Sequence, residues 1–189
     1  MPYKKYIDTY LKEVKEIIKK IDREAINRAT KILFGLRKKK GRLFILGIGG
    51  SAANASHAVN DFRKICKIET YSPVDNVAEL TAWTNDNSFE CIFKNWLKES
   101  FFNKNDALLI LSVGGGSKTT SKNLVLAMRY AKKLKAEIIG IVSRNGGETI
   151  KLANVCVLIP VINPKHITPH AEESQGIILH LIATVLVKS

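Results

Sequence analysis

Four side chains in this 189-residue sequence have the types and spacing for chemistry at one centre. His57 and Asp61 are four residues apart, so on a helix they share a face. Glu172 and His180 are eight apart, with Gly176 midway. On an ideal helix that pair also shares a face, but its Cα atoms stand ~12 Å apart along the axis. The two meet at one centre only if both lean over Gly176, or if Glu172 precedes the regular helix. Gly inside a helix costs about 1 kcal/mol relative to Ala. Gly176 therefore reads either as space kept for a ligand or as room for a neighbouring helix. Two imidazoles and two carboxylates suit Zn²⁺ or a similar divalent ion. Taken singly, each histidine fits as well as a hydrogen-bonded structural residue.

Two glycine-rich turns add anion chemistry. Leu46-Gly47-Ile48-Gly49-Gly50-Ser51 follows one apolar run, and Ser112-Val113-Gly114-Gly115-Gly116-Ser117 follows another. A turn of this kind between strand and helix leaves backbone N–H groups aimed at one point. The helix dipole adds positive potential there, so phosphate is the natural ligand. The phosphate-binding candidates are Gly49, Gly50, Ser51, Ser112, Gly114, Gly115, Gly116 and Ser117. Gly47, Gly49 and Ala52 also fit the G-x-G-x-x-A dinucleotide pattern, with Glu69 placed where a ribose-binding acid would lie. The second, serine-flanked triple glycine has no role in that pattern. Two strand-loop-helix anion sites suit one compact sugar phosphate instead. Neither loop matches G-x-x-x-x-G-K-[ST], which excludes that class of nucleoside triphosphatase.

The elements that must position these residues are legible from periodicity. Ile7, Tyr10, Leu11, Val14, Ile17, Ile18 and Ile21 make one helical stripe. Ile26, Ala29, Ile32, Leu33 and Leu36 make a second after Asp22, a candidate cap. Strands are expected at Leu43–Leu46, Ile68–Tyr71, Ala107–Ser112, Glu137–Val142 and Val155–Ile159. Helices are expected at about Ala52–Lys64, Asn76–Trp83, Phe89–Phe102, Lys122–Leu134, Gly147–Ala153 and Pro169–Val187. Strands alternating with helices predict an α/β fold, a parallel sheet covered on both faces.

Composition bounds the rest. Hydrophobic residues are 46% and charged residues 25%, a profile that excludes a disordered or fibrous chain. No apolar run approaches the ~20 residues of a membrane span, and residues 1–10 have no secretory apolar core. Cys66, Cys91 and Cys156 are scattered and odd in number, which reads as reduced thiols of a cytoplasmic protein. The net charge is +13, and residues 1–42 hold 14 Lys and Arg against 5 Asp and Glu. No aromatic interleaving or DNA-reading motif accompanies that charge. It reads as a solvated helix face attractive to small anions, rather than as a nucleic-acid surface.

The segment Leu43–Lys64, with Gly47-Ile48-Gly49-Gly50-Ser51-Ala52-Ala53-Asn54-Ala55-Ser56-His57, resembles the first loop and helix of the sugar isomerase (SIS) domain. Within that superfamily it is most similar to the phosphoheptose isomerases. The similarity continues through Leu80-Thr81-Ala82-Trp83-Thr84-Asn85-Asp86, the second loop, Ile139–Gly147 and the final helix with Glu172 and His180. The resemblance implies a three-layer, doubly wound, flavodoxin-like parallel sheet in one SIS domain over 1–189. Residues 1–41 would be oligomerisation helices and 42–189 the α/β core. It also implies a homotetramer.

By that resemblance Asp61 is the base and His180 the acid/base partner of an aldose–ketose isomerisation through an enediol. Asp86 matches a residue that contacts sugar hydroxyls. His57, Asp61, Glu172 and His180 match positions that hold His, Glu, Gln and His in the family and bind zinc in some members. One Zn²⁺ per subunit is therefore expected, with Glu172 adding a negative charge. The second loop departs from the usual S-T-S-G-x-S: Val113 and Gly114 carry no hydroxyl, and Lys118, Thr119, Thr120 and Ser121 follow as substitutes. The expected function is interconversion of sedoheptulose 7-phosphate and a manno-heptose 7-phosphate for surface polysaccharide. A non-catalytic sugar-phosphate-binding or adaptor module, and an isomerase of another phosphosugar, fit the same residues.

Overall fold

The computed structural model describes residues 3–188. Two helices lead, α1 (Lys4–Lys20) and α2 (Arg23–Lys38). Between them the Asp22 carboxylate accepts hydrogen bonds from the N–H groups of Glu24 and Ala25, which caps α2. Then come β1 (Leu43–Leu46), α3 (Gly50–Lys64), β2 (Thr70–Tyr71), α4 (Val77–Asp86) and α5 (Ile92–Glu99). The chain continues through β3 (Ala107–Ser112), α6 (Lys122–Lys133), β4 (Glu137–Val142), α7 (Thr149–Leu152), β5 (Val155–Leu158) and α8 (Ile167–Lys188). Short 3₁₀ turns lie at Pro73–Asp75 and Pro164–His166.

All five strands pair in parallel, in the order β2-β1-β3-β4-β5. Strand side chains alternate between two cores. Leu43, Ile45, Leu109, Ile139 and Ile141 pack with Leu33 and Leu36 of α2, Phe62 of α3 and Ile178 and Ile182 of α8. Phe44, Leu46, Leu108, Ile110 and Ile138 pack with Trp96 of α5 and Leu124 and Met128 of α6 on the other face. The result is the three-layer, doubly wound sheet expected. Its winding reverses between β1 and β3, and the loops after those strands diverge there. In this strand order, that crevice is where ligands bind.

Three elements differ from expectation for identifiable reasons. The β2 strand keeps only Thr70 and Tyr71, because it is an edge strand pairing with the first two residues of β1. Helix α5 ends at Glu99, since Phe101 has a positive φ of 53° and the Arg42 guanidinium donates to the Ser100 and Phe101 carbonyls. Helix α8 starts at Ile167, and Pro169 sits in its first turn, where a missing N–H costs nothing. The stripe of α1 also divides. Ile17 and Ile21 are buried, whereas Tyr6, Ile7, Leu11 and Ile18 are exposed.

Arg42 and Asp106 clamp the entry to the two central strands. Arg42 Nη2 lies 2.8 Å from Asp106 Oδ2 and Nε 3.1 Å from Oδ1, with the carboxylate 3% exposed. Removing one partner of a buried, bidentate pair leaves the other uncompensated. Asp106→Ala is expected to destabilise the protein by about 2–3 kcal/mol in urea unfolding, reduced from the fully buried value because Arg42 is a quarter exposed. A loss below about 0.5 kcal/mol would reduce the clamp to an ordinary surface pair.

Candidate active site

The first glycine loop turns β1 into α3. Gly49 is the N-cap of α3, with φ 63°, and Gly50 opens the helix. The first turn of any helix leaves N–H groups without intrahelical partners. Ser51 follows, 2% exposed, and its Oγ has no hydrogen-bond partner among the described residues. This orphaned hydroxyl faces a cavity of about 390 Å³ whose lining includes Ile48, Ser112, Gly114, Ser117, Arg144 and Thr168. Thr120 and Ser121, at the start of α6, line it as well, so two helix N-termini and one guanidinium converge on the same space.

The second loop is fixed largely through its own backbone. Gly115 N–H donates to Ser112 Oγ at 3.1 Å, and Ser117 Oγ accepts from the Thr119 and Thr120 N–H groups at 3.2 and 2.9 Å. Both hydroxyls thus act as acceptors within the loop; Ser112 keeps its proton to donate to an anion, and Ser117 Oγ also lies 3.4 Å from Thr119 Oγ1. The loop after β4 supplies the rest. Glu148 N–H donates to the Gly116 carbonyl, and Thr149 N–H and Oγ1 both donate to the Gly115 carbonyl. Gly115 has φ 72°, and a Cβ there would stand 2.0 Å from the Gly146 carbonyl oxygen. A Cβ on Gly147 would meet the Gly114 and Gly116 oxygens at 2.4 Å. The triple glycine is what lets the two loops interlock.

A second constellation lies further along α3, which packs beside α8 with both helices running the same way. Glu172 reaches Gly50, Gln175 bonds Asn54, and His180 meets His57 and Asp61. His57 Nε2 is 3.0 Å from His180 Nε2 and 3.3 Å from Asp61 Oδ2, and His180 Nε2 is 3.5 Å from the same oxygen. Asn60 Nδ2 donates to the other oxygen, Oδ1, at 3.1 Å. The imidazoles are more than half exposed and Asp61 is 13% exposed. Two ligands ~2.05 Å from a tetrahedral zinc stand ~3.3 Å apart, so the three spacings fit a divalent ion.

Three of the four expected metal ligands are therefore together. Glu172 is not in the trio. With α3 and α8 parallel, its eight-residue offset from His180 places its carboxylate against Gly50 at the head of α3. Nothing lies within 4 Å of where a Gly176 side chain would begin, so close helix packing is not its role. Asp86 is exposed at the end of α4, accepts from Asn85 Nδ2, and does not line the loop cavity. Burial pushes the Cys66 and Cys156 thiols up to about 11, which holds both as inert thiols.

The SIS domain family matches residues 6–143. A phosphoheptose isomerase of Helicobacter hepaticus is 33% identical over 86% of this chain and 81% of that protein. The chain belongs to the SIS domain family, in its phosphoheptose isomerase branch. A phosphoheptose isomerase of Syntrophotalea carbinolica is 28% identical over 96% of this chain and 92% of its own. The fold of the SIS domain is seen again in the phosphoheptose isomerase structure from Neisseria gonorrhoeae. It superposes with a TM-score of 0.85 at 21% identity, covering all of both chains.

In this SIS domain, sequence reasoning missed two lining residues, Arg144 and Thr168. Ser143-Arg144-Asn145-Gly146-Gly147 after β4 is a third glycine turn, and that was the available signal for Arg144. Thr168 carries none, because only the fold brings the head of α8 to the crevice. Gly115→Ala forces a side chain into the left-handed region and onto a backbone oxygen. It is expected to cost about 1–3 kcal/mol in thermal or urea unfolding. Wild-type stability in that variant would refute the interlock.

Proposed function

We propose that this protein interconverts sedoheptulose 7-phosphate and D-glycero-D-manno-heptose 7-phosphate, feeding heptose to surface polysaccharide from the cytoplasm. The protein is a sugar-phosphate isomerase of the SIS family. The heptose substrate rests on the activity named for its relatives. The observation that carries the reading is the pairing of two sites on α3. Ser51 opens into the anion-binding cavity at one end, and His57 follows ~9 Å and Asp61 ~15 Å along the axis.

The residues divide the work by chemistry. Hydroxyl protons of Ser51, Ser112 and Ser117, the Arg144 guanidinium and the heads of α3 and α6 hold the phosphate. Asp61 takes the proton from the carbon beside the carbonyl and returns it to the neighbouring carbon. In the metal-free site His180 Nε2 moves the proton between the two substrate oxygens, a role that nitrogen gives up if it ligates a metal. His57, Asp61 and His180 are the donor set for Zn²⁺, whose bound form supplies Lewis acidity at the carbonyl. Asp61 Oδ2 faces both imidazoles, so metal binding and base strength compete at that oxygen. Glu172 puts an anion at the head of α3, where it favours a cation and opposes a second anion.

A second reading, a sugar-phosphate binder without turnover, is favoured by the loss of hydroxyls at Val113 and Gly114. Proton exchange at C1 and C2 of a phosphosugar panel in D₂O separates the two, run with chelated and Zn²⁺-supplied enzyme. Exchange with the heptose phosphate is expected, lowered about 10²–10⁴-fold in Asp61→Asn. Any zinc contribution should fade in acid, because the ligands must be deprotonated to bind the ion. Binding without exchange in either metal state would establish the binder instead. Exchange only with a different phosphosugar would replace the heptose.

We further propose a homotetramer assembled through the exposed face of α1, with residues 1–189 as one SIS domain. Tyr6, Ile7, Leu11 and Ile18 form an apolar strip that the described chain leaves uncovered. Light scattering at micromolar protein is expected to give four times the chain mass, and a monomeric mass would refute the assembly.

A further inference from the structure

A second set of ligand-type side chains lies where α1 meets the head of α8, and the isomerase chemistry does not use it. Glu13 is buried on α1, His166 ends the 3₁₀ turn before α8, and His170 is buried in the first turns of α8. Glu13 Oε2 lies 2.7 Å from His166 Nδ1 and 2.8 Å from His170 Nε2. All three atoms are within 4.8 Å of one another, and none belongs to the His57, Asp61, His180 trio.

The surroundings orient these atoms towards a cation. Lys165 N–H donates to Asn163 Oδ1 at 3.0 Å, which fixes that amide. Asn163 Nδ2 then donates to Glu13 Oε1 at 2.8 Å and faces His166 Nδ1 at 3.2 Å. His166 Nδ1 is thus met by both the amide and the Glu13 carboxylate. The opposite nitrogen, Nε2, has the Tyr6 hydroxyl 3.2 Å away. His170 repeats the pattern: Nδ1 faces Glu173 Oε2 at 3.2 Å, which leaves Nε2 turned to Glu13. The Tyr10 hydroxyl in turn donates to the Glu173 carboxylate. The Glu13 carboxylate therefore has two imidazole nitrogens and an amide N–H about it in a buried space, where a proton or a cation must meet its charge. Imidazoles whose far N–H groups are held by oxygen acceptors are the usual surroundings of a zinc ligand.

We propose that Glu13, His166 and His170 bind a second divalent ion of zinc type, which locks α1 to the head of α8. The ligand set, two imidazoles and one carboxylate, is that of a borderline-soft ion such as Zn²⁺. The lock bears on the rest of the molecule in two ways. It fixes the helix whose outer face carries Tyr6, Ile7 and Leu11, and its two histidines flank Thr168 of the loop cavity.

The test uses full-length protein carrying His57→Ala and His180→Ala, so that the other trio cannot contribute. Metal-free protein is dialysed against Zn²⁺, and Co²⁺ is added separately for its visible absorbance. One equivalent of Zn²⁺ is expected to remain bound in this background, with a rise in Tm. Adding Glu13→Gln or His166→Gln should weaken binding by more than about tenfold and abolish that rise. Circular dichroism reports whether each variant is folded. If neither folds, Tyr6→Phe decides, since it removes only the partner of His166 Nε2 at an exposed position and should still weaken Zn²⁺ about tenfold. No bound zinc in the double-alanine background, or unchanged affinity in the folded variants, would overturn the site. Neither result bears on isomerase activity at His57, Asp61 and His180.

Discussion

A parallel sheet must return every connection to the same edge, and here the direction of winding reverses between β1 and β3. The loops after these two neighbouring strands are thereby forced apart at one crevice, and the candidate site is arranged about it. The first loop gives Ser51 and the head of α3, and the second gives Ser112 to Ser117 and the head of α6. The loop after β4 then closes on the second through backbone contacts that only glycine permits at residues 115 and 147. Backbone interlock holds the cradle's shape where Val113 and Gly114 offer no hydroxyl, and Arg144 adds charge.

Helix α3 carries that crevice into the chemistry. Because α8 runs beside it in the same direction, residues at matching depths pair off: Glu172 with Gly50, Gln175 with Asn54, His180 with His57 and Asp61. The pairing explains why two carboxylates that look equivalent in the sequence have different fates. Asp61 is one turn from His57, so it joins the imidazoles. Glu172 is more than two turns from His180, so it faces Gly50 at the head of α3.

Much of this was legible beforehand because it is local. The strand Glu137–Val142, the Asp22 cap and the two glycine turns were all set by short-range pattern. Where the reading stopped, the cause was contact across the chain. Helix α5 ends early because Arg42, far away in sequence, takes the carbonyls of Ser100 and Phe101. Glu13 looked like one more charge on a basic helix, yet it meets residues about 150 positions later. No periodicity could have joined it to His166 and His170.

The parallel run of α3 and α8 has an electrostatic consequence. Their N-termini lie at one edge of the molecule, and the start of α6 opens on the same cavity, which Ser51, Ser121 and Thr168 line. Helix dipoles laid side by side in the same sense repel, and their positive ends are crowded together here. The sheet imposes that arrangement, and Glu172 at Gly50 offsets part of it. An anion bound in the cavity would relieve the rest of the crowding. Ligand binding and chain stability are then linked quantities: whatever occupies the cavity also tightens the domain built around it.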